Sequence, residues 1–444
     1  MTEPFRVLCV DFGSTFTKAA LVDVATGTLV ATASTQTTID TDVLDGLATI
    51  RRRLAEHGDP GEVLACSSAG GGLRLAVVGY EREVTAEAGY RVGLSAGAKV
   101  VHVAAGPLTG QGVRDLRAAR PDIILLVGGT DGGNAEVLLH NARRLARARI
   151  RPPIVVAGNA EAVSDAAALL SSTGRHFTVA DNVLPQIGVI APDGARSAIR
   201  QAFLAHVIGG KGLSKGAAFA QMVQAPTPDA MLRGVEVLAD ALAGDVLVID
   251  IGGATTDVYS AITPQGEDAT LHRDVVAPLW QARTVEADLG MRWNAEGIVE
   301  AAAREHLHLP ATAIRYAGRM ASDPGHLPQS AAEWGSERDL ARAAAVVAVR
   351  RHARPAAPSE GPRPLQDVRH VIGSGGVLRH ASVEAGRQVL GAVIHDYPGG
   401  WKVPTSASLA VDTAYLLFAV GLLADPHPEA ARSLARQLCE QAVA

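Results

Sequence analysis

Val246-Leu-Val-Ile-Asp250-Ile-Gly252-Gly253-Ala254-Thr255-Thr256-Asp257 is the stretch that decides the fold. Its opening run of aliphatic residues reads as a buried strand. The strand runs into an acid, Asp250, and the glycines behind it permit a tight turn. Two threonine hydroxyls and a second acid follow. The same order of residue types stands near the N-terminus, in Val7-Leu-Cys-Val-Asp11-Phe-Gly13-Ser14-Thr15-Phe-Thr17-Lys18. The two stretches align at an offset of 239 residues, with identities at Val, Leu, Asp, Gly and the last Thr. A second pair, Leu-Leu-Val127-Gly128-Gly129 and His-Val-Ile372-Gly373-Ser374, aligns at an offset of 245. Two similar offsets point to one architectural unit used twice.

Each hairpin has a chemistry of its own. Backbone N–H groups and hydroxyls of Gly13, Ser14, Thr15 and Thr17 can form a nest for phosphate oxygens. Lys18 brings a positive charge, and Asp11 suits Mg²⁺ held directly or through water. Gly252, Gly253, Ala254, Thr255, Thr256 and Asp257 repeat the nest, with Asp250 as the second metal-side acid. Facing each other, the two loops would clamp a polyphosphate and its metal from both sides. Phosphoryl transfer asks mainly for such positioning and charge neutralisation, so Asp11, Lys18 and Asp250 are the candidate catalytic residues. A plain hairpin with a polar turn is the alternative for either loop alone. The third piece is His370-Val-Ile-Gly373-Ser374-Gly375-Gly376, a strand running into glycines on which a purine and ribose can lie. Neither a GxxxxGK[ST] loop nor a well-placed GxGxxG follows the first strand.

The chain has 444 residues, which at about 150 per domain suggests three units or two large lobes. Short β-branched runs (7–10, 99–103, 123–127, 154–156, 246–251 and 370–372) alternate with amphipathic stretches such as 134–149 and 161–171. That alternation predicts an α/β protein. The boundary is drawn between an N-terminal lobe, 1–190, and a C-terminal lobe, 191–444. Val223–Asp229 (VQAPTPD), Ser322–Gln329 and the proline-rich 351–367 read as loops. The 41 Lys and Arg against 46 Asp and Glu, and an aromatic content of 4%, argue against a nucleic-acid binder. Cys9, Cys66 and Cys439 form no CxxC, which argues against a disulfide framework or a cysteine-rich metal site. The N-terminus has no signal-peptide pattern. The apolar stretch at 414–424 is short of the ~20 residues of a membrane span. A cytoplasmic protein is expected.

Several residues keep two readings. Gly128–Asn134 is placed as the N-terminal counterpart of the adenosine loop; it either binds an anion, sugar or metal, or is a turn capping the next helix through Asp131 or Asn134. Ser67–Gly72 is either a phosphate or carboxylate loop or a turn, and Arg74 beside it either faces a partner or is ordinary surface. Asp181 and Gln186 read as helix capping and interlobe packing. Asp412 is either a satisfied core acid or a hinge contact. Glu286, Asp288 and Arg292 suggest no specific chemistry, and the histidines, His306 and His308 included, form no HExxH.

The ordered set of two phosphate loops and an adenosine loop resembles the actin-like ATPase superfamily. Within it the chain resembles the MutL (GlmL) family associated with glutamate mutase, which is unrelated to the mismatch-repair protein of that name. The blocks that carry the resemblance are 66–74, 85–88, 97–100, Asp122–Asn134, Asp181–Pro185, Lys211–Lys215, Gly253–Asp257, Arg283–Arg292 and His370–Leu378. The resemblance implies two actin-like, ribonuclease H-like lobes, each a mixed sheet flanked by helices, with an interlobe nucleotide cleft. It implies ATP and Mg²⁺ as ligands, and it alone implies Asp181 or Gln186 as a residue that orients an attacking water. It further implies an accessory, reactivating role for an adenosylcobalamin-dependent mutase, which would be the partner; homo-oligomerisation stays open. Three rivals share the fold: a small-molecule kinase, a non-catalytic nucleotide-binding scaffold, and an iron–sulfur activator, the last disfavoured by the unpaired cysteines.

Overall fold

The computed structural model describes residues 5–69, 72–81, 84–215, 217–262, 281–355 and 362–440. Gly70 and Gly71 of the serine-glycine loop, part of the proline-rich connection (356–361) and the side chain of Cys439 lie outside the described residues.

Strands β1 (Arg6–Phe12), β2 (Phe16–Asp23) and β3 (Thr28–Gln36) form an antiparallel meander, and α1 (Val43–Leu54) leads to β4 (Glu62–Ser67), parallel to β1. The chain then departs through β5 (Arg74–Gly79), α2 (Thr85–Ser95), β6 (Lys99–Ala105), α3 (Gly110–Ala118), β7 (Ile123–Leu126), α4 (Glu136–Arg147), β8 (Ile154–Val156), α5 (Val163–Ser171), β9 (Phe177–Val179) and α6 (Asp193–Ala202). It returns by α7 (Ala218–Met222) to β10 (Val223–Pro226), which pairs with β4, and enters α8 (Thr227–Leu242). A second meander follows: β11 (Val246–Ile251), β12 (Thr256–Ala261) and β13 (Gln281–Glu286). Helices α9 (Ala295–Arg304), α10 (Ala311–Ser322) and α11 (Ala331–Ala353) separate it from β14 (His370–Ser374). After α12 (Gly376–Arg379) and α13 (Val383–Gly391) come β15 (Ser408–Val411), α14 (Leu417–Leu423) and α15 (Pro428–Glu440).

Two of the three sheets share one topology. The first runs β3-β2-β1-β4-β10 and the second β13-β12-β11-β14-β15, each with two antiparallel pairs followed by two parallel ones. Residues 246–256 occupy in the second sheet the place of 7–17 in the first, so the internal repeat is structural. The third sheet, β6-β5-β7-β8-β9, is wholly parallel and is inserted between β4 and β10. Two mixed sheets were expected; this third one was not. Its order, with helices on both faces, is the doubly wound 2-1-3-4-5 arrangement.

That insertion corrects the second repeat pair. Val127–Gly129 follows β7 of the parallel sheet, whereas the strand placed like β14, parallel to the central strand of its meander, is β4. The counterpart of the Gly373–Gly376 loop is therefore Ser67–Gly72, not Gly128–Asn134. The apparent match arose because any buried parallel strand ending at a tight loop reads as aliphatics followed by glycine. The reading of 223–229 as a loop is also corrected. Pro226 closes an edge strand, where a missing N–H costs no ladder bond. Pro228 sits in the first turn of α8, where proline is tolerated.

The layers follow from alternation along the strands. Leu8, Val10 and Phe12 face a core shared with α2 and α6 of the insertion. Val7 and Cys9 face the opposite way, into a core that includes Val246 and Val248 of the second sheet and is filled by α8, α14 and α15. Leu247 and Ile249 point into a third core under α9–α11. Cys9 and Cys66 are buried free thiols. Among the described residues no helix is long and apolar enough to cross a membrane.

Candidate functional site

The two hairpins have the same construction. Gly13 N–H donates to the Phe16 carbonyl (3.1 Å), and Gly252 N–H donates to the Thr255 carbonyl (2.9 Å). A Cβ on either glycine would sit 2.7 Å and 2.9 Å from those oxygens, so the turns close only without one. Ser14, Thr15, Gly253 and Ala254 are exposed at the tips, while Thr17 and Thr256 are buried at the strand starts. Thr17 shares a hydroxyl hydrogen bond with Thr37 (3.1 Å), whose hydroxyl also donates to the Gly13 carbonyl (2.8 Å). Thr256 instead donates to the Leu289 carbonyl (2.6 Å). In register, Asp11 faces Lys18 and Asp250 faces Asp257. One hairpin thus pairs an acid with a base, the other an acid with an acid.

Side chains from the two sheets share one electrostatic neighbourhood. The Lys18 ammonium lies 3.3 Å above the ring of Tyr415, which follows β15 of the second sheet. Tyr415 holds a left-handed backbone (φ 57°), strain of the kind found where geometry is over-determined. Burial pushes Asp250 up to about 7; Asp257, Asp11 and Asp412 push the same way, and Lys18 opposes them. Asp11 is also raised by burial, against Lys18 and the hydroxyl of Thr227, which donates to its Oδ1 at 2.6 Å. The Cys66 thiol donates more weakly to that oxygen (3.7 Å). Asp412 accepts from the amides of Leu416 and Leu417 (2.7 and 3.0 Å) and so caps α14; burial raises it to about 6. The capping shows it to be a satisfied core acid, and its field reaches Asp250.

The Gly373–Gly376 loop packs directly on the second hairpin. A Cβ on Gly375 (φ +97°) would lie 2.2 Å from the Ile251 carbonyl and 2.9 Å from Asp250 Oδ1. Ser374 is buried, and among the described residues its hydroxyl has no hydrogen-bond partner. In the first sheet the amides of Ser68 and Ala69 both donate to the Phe12 carbonyl (3.0 Å each), and Ser14 donates to Ser68 O (3.2 Å). The serine-glycine loop therefore abuts the first hairpin as the glycine loop abuts the second.

The remaining candidates divide. The block 284–292 braces the second hairpin: Met291 N–H donates to Gly252 O, and the Arg292 and Trp293 amides donate to Gly253 O. Arg292 also pairs with Glu337, and Arg351 pairs with both Glu286 and Asp288. Asp131 and Asn134 hold the inserted sheet's loops together: Asp131 accepts from the Ala160 amide and from Asn182, and Asn134 caps α4 at the Glu136 amide. Asp181 lies against Gly194, and Gln186 bridges to Val189, both beyond β9. Neither shares a described contact with Asp11 or Asp250. Arg74 donates to the Ala119 and Arg120 carbonyls at the end of α3. Sequence reasoning missed Thr227, Thr37, Tyr415 and Arg283; for Thr227 the available signal was a Thr-Pro-Asp helix start hidden in what reads as a loop.

Asp11 and Asp250 fit a divalent cation in chemistry: with Arg283 taken up by Asp257, these two desolvated carboxylates share Lys18 as their nearby cation. Mg²⁺ commonly takes one or two protein carboxylates, completing its shell with water and phosphate. Among the described residues no group of three His, Cys, Asp or Glu forms a ready metal cage.

The pKa of Asp250 has a consequence for stability. An acid at 3.8 unfolded and about 7 folded keeps its proton longer in the native state. Its contribution is full below pH ~4 and is lost as pH rises through 7. Between pH 6 and 8 the loss is on the order of 1 kcal/mol. Buried His352, held well below its usual range, works in the opposite direction near pH 6. The clean measurement is therefore the difference from Asp250→Asn. Urea unfolding should show the wild type losing on the order of 1 kcal/mol more than the variant between those pH values.

Two sheets of one strand order, each carrying an Asp-x-Gly hairpin and joined through a shared helical core, define an actin-like α/β protein. The chain belongs to the MutL protein family, whose model matches residues 7–439. Protein MutL of Clostridium tetanomorphum is 36% identical over 451 residues, covering 96% of this chain and 97% of the relative. Among solved structures, nucleotide-free acetone carboxylase aligns with 95% of this chain and 70% of its own (16% identity, TM-score 0.39). A ROK family glucokinase from Streptomyces griseus, in complex with glucose and AMPPNP, aligns with 97% and 99% respectively (14% identity, TM-score 0.33).

Proposed function

We propose that this protein binds MgATP between its two hairpins, hydrolyses it, and uses the change between closed and open forms to act on a partner enzyme, an adenosylcobalamin-dependent mutase of the glutamate mutase kind. The observation that carries the nucleotide reading is the meeting of Lys18 and Asp250, from different sheets, in one field. Asp11 and Asp250 would hold the metal and its waters, and the metal would neutralise charge on the phosphates. Backbone and hydroxyls of Gly13, Ser14, Thr15 and Thr17 would cradle one side of the triphosphate. Gly252, Gly253, Ala254, Thr255, Thr256 and Asp257 would cradle the other. Gly373, Ser374, Gly375 and Gly376 would lie under the adenosine, with the free Ser374 hydroxyl available to the ligand. Asp250 would accept a proton from the attacking water as the bond to the γ-phosphorus forms and ADP leaves. The lobes drawn at 1–190 and 191–444 are proposed as the moving parts, with α6 and β10 going with the first because they pack and pair there; a ligand touching both favours the closed form.

Membership of the MutL family supports the accessory role. The test mixes the protein, MgATP and a mutase carrying inactivated cobalamin, and follows mutase turnover and phosphate release. Recovery that needs ATP and is lost in Asp11→Ala supports the proposal. Recovery without ATP overturns the mechanism, and phosphate transfer to a metabolite in the mutase's absence would mark a kinase instead.

A further inference from the structure

We propose that Arg283 is a positioning residue for the second hairpin and ties it to the inserted parallel sheet; this rests on the nucleotide reading above. Arg283 lies on β13 and is 6% exposed. Its Nε and Nη2 both donate to Asp257 Oδ1 (3.0 and 2.6 Å). The other oxygen, Oδ2, accepts from the Thr255 hydroxyl (2.9 Å). Asp257 is thus fixed from both sides, at the hairpin position that Lys18 fills in the first repeat.

The remaining nitrogen of the fork reaches beyond the second sheet. Arg283 Nη1 donates to the carbonyl of Gly97 (3.2 Å), in the turn between α2 and β6 of the insertion. That turn is itself pinned. Gly97 adopts φ +73°, and a Cβ there would lie 2.5 Å from the Asp229 amide nitrogen, in the first turn of α8. Arg200, two residues from the end of α6, holds Asp229 at 2.7 Å. Two residues before Asp229 stands Thr227, the hydrogen-bond donor to Asp11. One turn of the inserted sheet therefore touches the supports of the acids in both hairpins. The guanidinium spreads its donors over three nitrogens and so spans the carboxylate and the carbonyl at once; lysine carries its three donors on a single atom with no fork. Arg283 acts through Asp257 and does not itself reach the hairpin tip. Its effect should fall on turnover more than on binding, because it sets where Asp257 stands when the phosphates are in place. A shift of the hairpin on hydrolysis would be passed through the same fork to the insertion.

The test uses the full-length protein with Arg283→Gln, Arg283→Lys and, as a surface control, Arg319→Gln. ATP turnover, ATP affinity by calorimetry and amide hydrogen exchange are read for each. Arg283→Gln should lower turnover about 10- to 100-fold, the range for residues supporting a catalytic ligand, with the dissociation constant changed less than about threefold. Arg283→Lys should recover most of the turnover, because Asp257 keeps a cationic partner. Its amides at 97–99 should nevertheless exchange faster than the wild type's, because lysine cannot also hold the Gly97 carbonyl. Should Arg283→Gln fail to fold, exchange at 97–99 in the lysine variant carries the test, and exchange there equal to the wild type's overturns the tie. Turnover unchanged in both variants, or turnover and affinity lost together, overturns the positioning role. If the wild type binds no ATP, the nucleotide reading falls while the tie remains testable. Exchange at 97–99 and at 255–257 should then rise together in Arg283→Gln, and unchanged exchange at either site overturns the tie.

Discussion

Asp250→Asn is expected to lower ATP turnover by a factor of about 100 or more, the usual cost of losing a positioned acid–base group. Asparagine keeps the volume and the strand but cannot accept the proton of an attacking water. The pH dependence makes the result specific. Wild-type kcat/KM should climb through pH ~7 as Asp250, raised to about 7 by burial, gives up its proton. In the variant that limb should vanish. Asp11→Asn should fall comparably for a different reason. The Thr227 hydroxyl can still donate to the new amide oxygen, so the fold survives, but the carboxylate charge available to a metal is gone. The double variant should be little worse than either single one, since groups that serve one step are not additive. Retention of more than a tenth of the turnover in Asp250→Asn, with the pH limb intact, would remove the twin-hairpin mechanism.

The hairpins were legible because their chemistry is local. Asp-x-Gly after a buried strand writes strand, turn and charge into a dozen residues, and the repetition of 7–17 at 246–256 doubled the signal. What escaped is non-local. β4 and β10 are neighbours although the whole of β5–β9 lies between them in the chain, and no periodicity within a strand says which sheet it will join. Ser67–Gly72 and Gly128–Asn134 look alike for that reason, and only pairing separates them. Thr227 was hidden by its prolines, which read as a break although one closes an edge strand and the other opens a helix. Arg283 and Tyr415 owe their parts entirely to tertiary contacts: Asp257 and Gly97 for one, Lys18 for the other. The paired glycines of α8 and α14 were likewise invisible, since nothing within either helix announces a crossing.

That crossing yields the last expected result: Gly421→Ala should destabilise the protein by about 3 kcal/mol or more, the upper end of overpacking costs. The sign is the informative part. In an isolated helix, glycine to alanine is worth about 1 kcal/mol in the opposite direction. Here a Cβ on Gly421 would lie 1.8 Å from the Ala230 carbonyl oxygen and 2.9 Å from the Gly234 nitrogen. On the facing helix a Cβ on Gly234 would lie 2.1 Å from the Leu417 carbonyl oxygen. Those neighbours are backbone, so α8 and α14 can relieve the clash only by moving apart. Each helix begins at the site: α8 at Thr227, bonded to Asp11, and α14 just after Asp412, which caps it beside Lys18 and Tyr415. Separating the helices would therefore displace the two hairpins from each other as well as open the core shared by both sheets. Urea unfolding of Gly421→Ala and Gly234→Ala measures the first effect. ATP affinity of whatever fraction stays folded measures the second, and it should fall even where the secondary structure is intact. An increase in stability on either substitution would mean that the helices do not touch at these glycines.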